Sequence, residues 1–119
     1  MTWIAIAFGG ALGSLARHAI TLLVPSQRFP WATVIVNISG CFVIGFLYGL
    51  TTSRRLALPA LGREFVFVGV LGGFTTFSTF GLDTLTLAQS QSSYAVMNVA
   101  AQVLGGLIAV WLGYRIGVL

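Results

Sequence analysis

Apolar residues run almost unbroken through four stretches of this chain, roughly Thr2–Val24, Trp31–Thr52, Glu64–Ala88 and Ser93–Gly117. Three more polar links separate them: PSQRFP, SRRLALPALGR and QSQSS. A helix needs about 20 apolar residues to cross a bilayer, and each stretch is that long. The pattern predicts an all-α membrane protein of four transmembrane helices. Residues 1–119 then form one domain, with no stretch left over for a soluble one. A transmembrane barrel is excluded, because the smallest need about eight alternating strands.

Polar and small residues interrupt this pattern at chosen places. In the first span Gly9, Gly13 and Arg17 fall on one helical face, with Gly10 and Ser14 beside them. Small residues at that spacing let helices approach closely. Arg17 lies deep enough that it must snorkel, pair or face water, and an anion vestibule is one such setting. In the second span Thr33, Asn37, Cys41 and Gly45 continue one face, and Gly45 and Gly49 form another close-packing pair. Asn37 either bonds a neighbouring helix or donates its NH2 into a polar path that suits an anion. In the fourth span Tyr94, Asn98 and Gln102 align at i, i+4 and i+8, beside a small-residue stripe of Ala101, Gly105, Ala109 and Gly113. Hydrocarbon offers such groups no partner, so they need either a shared wet track or helix–helix bonds.

The third span holds the densest interruption, GGFTTFSTFG over Gly72–Gly81. Glycine, threonine and serine are poor helix formers, and their cluster over Gly72–Ser78 predicts a local break. Broken helices at membrane depth persist only where protein or an aqueous cavity receives the freed backbone groups. Unwound carbonyls there commonly hold a cation. Beyond the break Phe77 and Phe80 share a face, and aromatic ring edges carry the positive part of the quadrupole. Ring edges together with the hydroxyls of Ser78 and Thr79 can hold a small anion weakly enough for it to leave, which conduction requires. The plainer alternative is a Phe-lined packing face whose hydroxyls bond back to i−4 carbonyls.

Composition supports the membrane reading. The chain is 57% hydrophobic and 7% charged, with mean hydropathy +0.98, whereas soluble domains carry about 25% charged residues. The N-terminus has no basic region and its apolar run passes any small-residue cleavage site, so a signal peptide is not expected. A net charge of +4 is no nucleic-acid footprint, because the arginines are scattered. Arg54 and Arg55 suit lipid headgroups. Cys41 has no internal partner and reads as a small packing residue. With four spans, Arg54, Arg55, Arg63 and Arg115 share one side, against Arg28 and Arg17 with His18 on the other. The positive-inside rule places the termini in the cytoplasm, but so weak a bias is also what a protein inserting both ways would show.

These residues together resemble the Fluc/CrcB family of bacterial fluoride channels. The resemblance covers the whole chain and rests on GGALGSLARH (Gly9–His18), TVIVNISG (Thr33–Gly40) and GGFTTFSTF (Gly72–Phe80), the last highly specific. It implies four helices with the third broken at its centre, in an antiparallel, dual-topology homodimer in the bacterial inner membrane. It also implies two fluoride pores at the subunit interface and a structural sodium ion at the dimer centre. Carried onto this chain, the sodium ligands are the backbone carbonyls of Gly72 and Thr75. The fluoride pathway is Asn37, the ring edges of Phe77 and Phe80, the hydroxyls of Ser78 and Thr79, and the polar positions Thr33, Tyr94, Asn98 and Gln102, with Arg17 at the vestibule. The chain departs from the family pattern where Asn98 and Gln102 replace serine or other small polar residues, where Asp83 replaces a glutamate, and where Ala32 replaces a glycine.

The implied function is passive, selective export of fluoride, with the ion, the lipid bilayer and a second copy of the chain as partners and no nucleic acid. A proton-coupled small multidrug-type exporter shares the size and span count, but it needs a membrane-buried carboxylate and the first span has none. A purely structural subunit is a third class. An enzyme is the least consistent reading, since His18 and Cys41 have no nucleophile–base or metal-ligand constellation around them.

Overall fold

The computed structural model describes Met1–Leu119 and is entirely helical. Helix α1 spans Thr2–Leu23 and α2 spans Trp31–Thr52. The third span is composite: α3 (Ala60–Arg63), a π-helical segment π1 (Glu64–Leu71), α4 (Gly72–Phe74) and α5 (Phe77–Ser90). Helix α6 spans Ser92–Val118. The four helical spans have the length and apolar character to cross a membrane, so this is a multi-pass membrane protein. The links end the helices by ordinary chemistry. Val24, which precedes Pro25, is extended at φ −107 and ψ 110, as a following proline demands. Pro30 and Pro59 immediately precede α2 and α3, where a missing N–H costs nothing.

The spans pack as two parallel pairs. The first half of the third span lies along α1, and α2 lies along α6. Both seams are made by glycine. A Cβ on Gly9 would sit 2.5 Å from the Phe65 carbonyl oxygen, and one on Gly73 would sit 2.5 Å from that of Gly10. Gly45 and Gly49 meet the main chain of Val110 and Tyr114 in the same way, answered by Gly113 and Gly117 against Phe42 and Phe46. Backbones in direct contact gain dispersion and carbonyl contacts that lipid cannot supply.

The third span then changes partners. After the break, α5 leaves α1 and runs antiparallel against α6. Leu87 of α5 joins Phe29, Val34 and Ala95 in a small buried cluster that closes this end. The break is therefore a tertiary hinge point between the two pairs. It falls at Thr75–Thr76, which are extended (φ −77, ψ 159 and φ −152, ψ 107). Gly72 and Gly73, expected to be part of the break, are still helical. Gly73 instead serves the close approach to α1. The wide π1 turns were not legible in the apolar run EFVFVGVL.

Candidate functional site

The break is assembled from threonines and closed by residues from three other helices. Leu71 O accepts from both the Thr75 N–H and the Thr75 hydroxyl, each at 3.0 Å, and so ends the upstream helix. One residue later the Thr76 hydroxyl caps α5, accepting from Thr79 N at 3.2 Å and donating to the Thr79 hydroxyl at 2.9 Å. Ser78 Oγ lies 3.4 Å from the same hydroxyl. The Ser78 and Thr79 hydroxyls thus gather around the cap, on an exposed face.

Asn37 of α2 takes up the main chain that the break releases. Thr76 N donates to Asn37 Oδ1 at 2.8 Å, and Asn37 Nδ2 donates back to Thr76 O at 3.1 Å. The second Asn37 N–H goes to Gln102 Oε1 at 2.6 Å. Gln102 Nε2 donates to Asn98 Oδ1, and Asn98 Nδ2 to the Thr84 hydroxyl, both at 2.9 Å. Thr84 in turn donates to Phe80 O at 2.7 Å. The two amides of the fourth-span stripe are thus satisfied by side chains of α2 and α5, with Asn98 fully buried. Tyr94, at the end of the same stripe, stands apart: its ring makes an edge contact with Phe29 at 6.2 Å.

Arg17 of α1 donates from Nη1 to Thr75 O at 3.2 Å. One turn earlier Ser14 donates to Gly73 O at 3.4 Å. The arginine is therefore paired with a carbonyl that the extended Thr75 turns out of the helix. This suits the cost of burying an unpaired guanidinium at membrane depth.

Phe77 and Phe80 stand side by side just past the cap, with ring centroids 5.4 Å apart and planes at 51°. Phe77 is 83% exposed. Both rings border an open groove of about 510 Å³, together with Asn37, Thr76 and Gln102, and with Gly72 and Thr75 on its wall. A second, more polar hollow of about 460 Å³ opens beside the first link, with Arg28 and Thr86 on its rim. There Thr33 donates to Asp83 Oδ2 at 2.8 Å. The candidate residues thus divide into a central set at the break, a Thr33–Asp83 pair toward one end, and Tyr94 outside both.

Residues 4–114 match the family described as "CrcB-like protein, Camphor Resistance (CrcB)". The chain belongs to the CrcB family. It is 48% identical to a "Fluoride-specific ion channel FluC" of Rhodospirillum rubrum, covering 96% of this chain and 92% of that one. A protein of the same name from Opitutus terrae is 48% identical over 92% of this chain and 86% of its own. One from Methylocella silvestris is 44% identical over 99% and 94%.

Sequence reasoning about this CrcB-family chain overlooked Thr76 and Thr84. The signal for Thr76 was its place between the helix-ending Thr75 and a residue three positions on, Thr79, that needs a capped N–H. Thr84 sits four residues after Phe80 and lacks any sequence mark beyond that spacing. The exporter alternative is not favoured. Asp83, the carboxylate it would have to use, is held by Thr33 midway along α5, and the relatives at 40–48% identity carry the channel name.

Proposed function

We propose that this CrcB-family protein is a passive, fluoride-selective ion channel that exports fluoride across the bacterial inner membrane. One observation carries the reading. Asn37 pins the main chain of Thr76 at the break, directly upstream of the paired rings of Phe77 and Phe80 and beside an open groove. A fixed pair of ring edges offers positive quadrupole to a small anion without a full counter-charge. The name of the relatives points the same way.

The groove is half a site in a single chain, with Phe77 projecting from it. Our reading is that a second, antiparallel copy covers it and that each dimer holds two pores. Dual-topology insertion accords with the weak arginine bias, four on one side against two on the other. The pathway uses Phe77 and Phe80 with the hydroxyls of Ser78 and Thr79 at the centre. Asn37, Gln102 and Asn98 form its supporting wall, Thr33 and Tyr94 lie toward one end, and Arg17 draws anions to the vestibule.

Sodium is proposed as a structural ion at the dimer centre, on the carbonyls of Gly72 and Thr75. The donor set fits a hard cation: neutral main-chain oxygens at a helix break, both bordering the groove. Arg17 already donates to Thr75 O, but a carbonyl oxygen has two lone pairs and can serve both. The ion would supply fixed positive charge between the copies, and the residues described above would do the rest.

The physiological drive is acid–base trapping. HF crosses lipid uncharged and ionises in the cytoplasm. The potential, negative inside, then expels the anion through a selective path, at about 2.3 kcal/mol per charge per 100 mV. Chloride is excluded because a narrow row of donors must replace the hydration shell of the ion. The test is efflux from liposomes containing the purified protein, read with fluoride and chloride electrodes. Fluoride loss with chloride retained supports the channel; retention of both by folded, inserted protein overturns it.

A further inference from the structure

The hydrogen bonds from Phe80 to Thr76 form one continuous chain through three helices, and its direction is not free. The Thr76 N–H can only donate, and the Thr76 carbonyl can only accept. Together they fix the Asn37 amide, oxygen toward Thr76 N and nitrogen toward Thr76 O. The remaining Asn37 N–H then requires an acceptor, so Gln102 must present Oε1. Its nitrogen is thereby turned to Asn98 Oδ1, and the Asn98 nitrogen to Thr84. The Thr84 hydroxyl accepts that bond and donates its own hydrogen to Phe80 O. Reversing Asn37 or Gln102 sets like against like at both ends, and reversing Asn98 does so toward Gln102 and takes the Thr84 hydrogen away from Phe80 O. Asn98 is 0% exposed, so water cannot stand in for a partner lost there. No buried side-chain polar atom is left unpaired.

We propose that Gln102 and Asn98 are positioning residues, a one-way amide relay that locks Asn37 to the break and ties the Phe80 carbonyl to the same frame. Phe77 and Phe80 stand on the first turn of α5. The relay grips that turn at both ends, Thr76 through Asn37 and Phe80 through Thr84. It deepens the channel reading, on which its functional consequence rests. Neither amide needs to touch the ion. Both N–H groups of Asn37 are already engaged, so its amide acts on the pathway by holding main chain.

The direction gives a test that a merely space-filling role would not pass. Gln102→Glu keeps the shape. When the introduced carboxyl is protonated, its O–H donates to Asn98 Oδ1, its carbonyl accepts from Asn37, and the relay is intact. When ionised it can only accept. Asn98 must then turn its nitrogen to it, and Thr84 must donate to Asn98 and release Phe80. Asn98→Asp has the same two states one step further along. Groups already present around the relay are Cys41 of α2 in the same groove, Arg17 of α1 at Thr75 O, and Asp83 of α5 at its bond from Thr33. All three are unchanged in both variants, so the wild type serves as their control.

Two readouts on the homodimer in lipid separate the claims. The first is fluoride efflux between about pH 5 and pH 9, the range in which buried carboxyls titrate, corrected for HF leak through protein-free liposomes. Gln102→Glu is expected to carry wild-type flux at the acid end and about tenfold less at the alkaline end, the scale of one lost hydrogen bond. Gln102→Leu is slow throughout. The second is the ¹⁵N–¹H resonances of the Asn37 side chain, which should move with pH in Gln102→Glu and stay fixed in the wild type. Asn37 resonances that ignore pH in Gln102→Glu, or wild-type flux in Gln102→Leu, overturn the relay. Absence of fluoride flux in the wild type overturns the channel reading instead, and the resonances then decide the relay alone.

Discussion

Asn37 and Thr76 are paired as two strands would be: the Asn37 side chain both accepts from and donates to the main chain of one extended residue, at 2.8 and 3.1 Å. An amide side chain has the geometry of a peptide group. It therefore satisfies in one contact the donor and the acceptor that the break of the third span would otherwise leave in hydrocarbon.

Asn37→Leu removes both bonds and strands two backbone groups. Each unsatisfied buried group costs about 1–3 kcal/mol, so the variant should lose roughly 2–6 kcal/mol of stability as well as its fluoride flux. Unfolding in mixed micelles alongside liposome efflux measures both. Wild-type stability in this variant would mean that the break is held by something else.

Phe77→Ile should separate the two effects. The ring is 83% exposed in the single chain, so folding of the subunit should change by less than about 0.5 kcal/mol, as for exposed sites generally. Flux should fall at least about tenfold, because the ring edge and its quadrupole are gone. A protein that elutes and unfolds as wild type but conducts normally would remove Phe77 from the pathway.

Neighbouring glycines of α1 should differ sharply. A Cβ on Gly13 would meet the Phe74 main-chain nitrogen at 2.7 Å, whereas one on Gly10 meets nothing within 4 Å. Gly13→Ala is expected to cost about 1–3 kcal/mol through overpacking and to push on α4 just before the break. Gly10→Ala should be neutral within about 0.5 kcal/mol. Equal effects in paired unfolding measurements would show that the α1 seam is looser than its geometry.

Replacing sodium by a large organic cation on both faces of the membrane should slow fluoride efflux and lower the thermal stability of the proposed dimer. The reason is the proposed ion on the Gly72 and Thr75 carbonyls. Potassium in its place tests size selectivity. Efflux and stability indifferent to the cation would leave Thr75 O to Arg17 alone.

Much of the fold could be read directly from residue types. Four apolar stretches with polar links give four spans, because backbone in lipid must bond to itself. Gly9, Gly13, Gly45 and Gly49 announced close helix seams, and they make them. The opening GGFTTFSTF also announced an interruption, but two kinds of residue in it do different work. Glycine lowers helix propensity and equally permits close approach, and propensity alone cannot say which use is made of it. Only the partner across the seam, Gly10, shows that Gly73, itself still helical, serves the close approach.

The sequence by itself determined a membrane protein of four helices with polar groups at chosen depths, since composition and period follow from the solvent around the chain. Tertiary structure alone decided how those groups are joined. Hydrogen-bond partners separated by 39 or 65 residues, as Asn37 is from Thr76 and from Gln102, leave no periodic trace along the chain. The i, i+4 stripe of Tyr94, Asn98 and Gln102 promised one shared environment. Packing divided it, because α5 crosses α6 at Asn98 and brings Thr84 there, while the first link brings Phe29 to Tyr94. Which polar group meets which is set by where the third span breaks and changes partner, and that is a property of the folded chain.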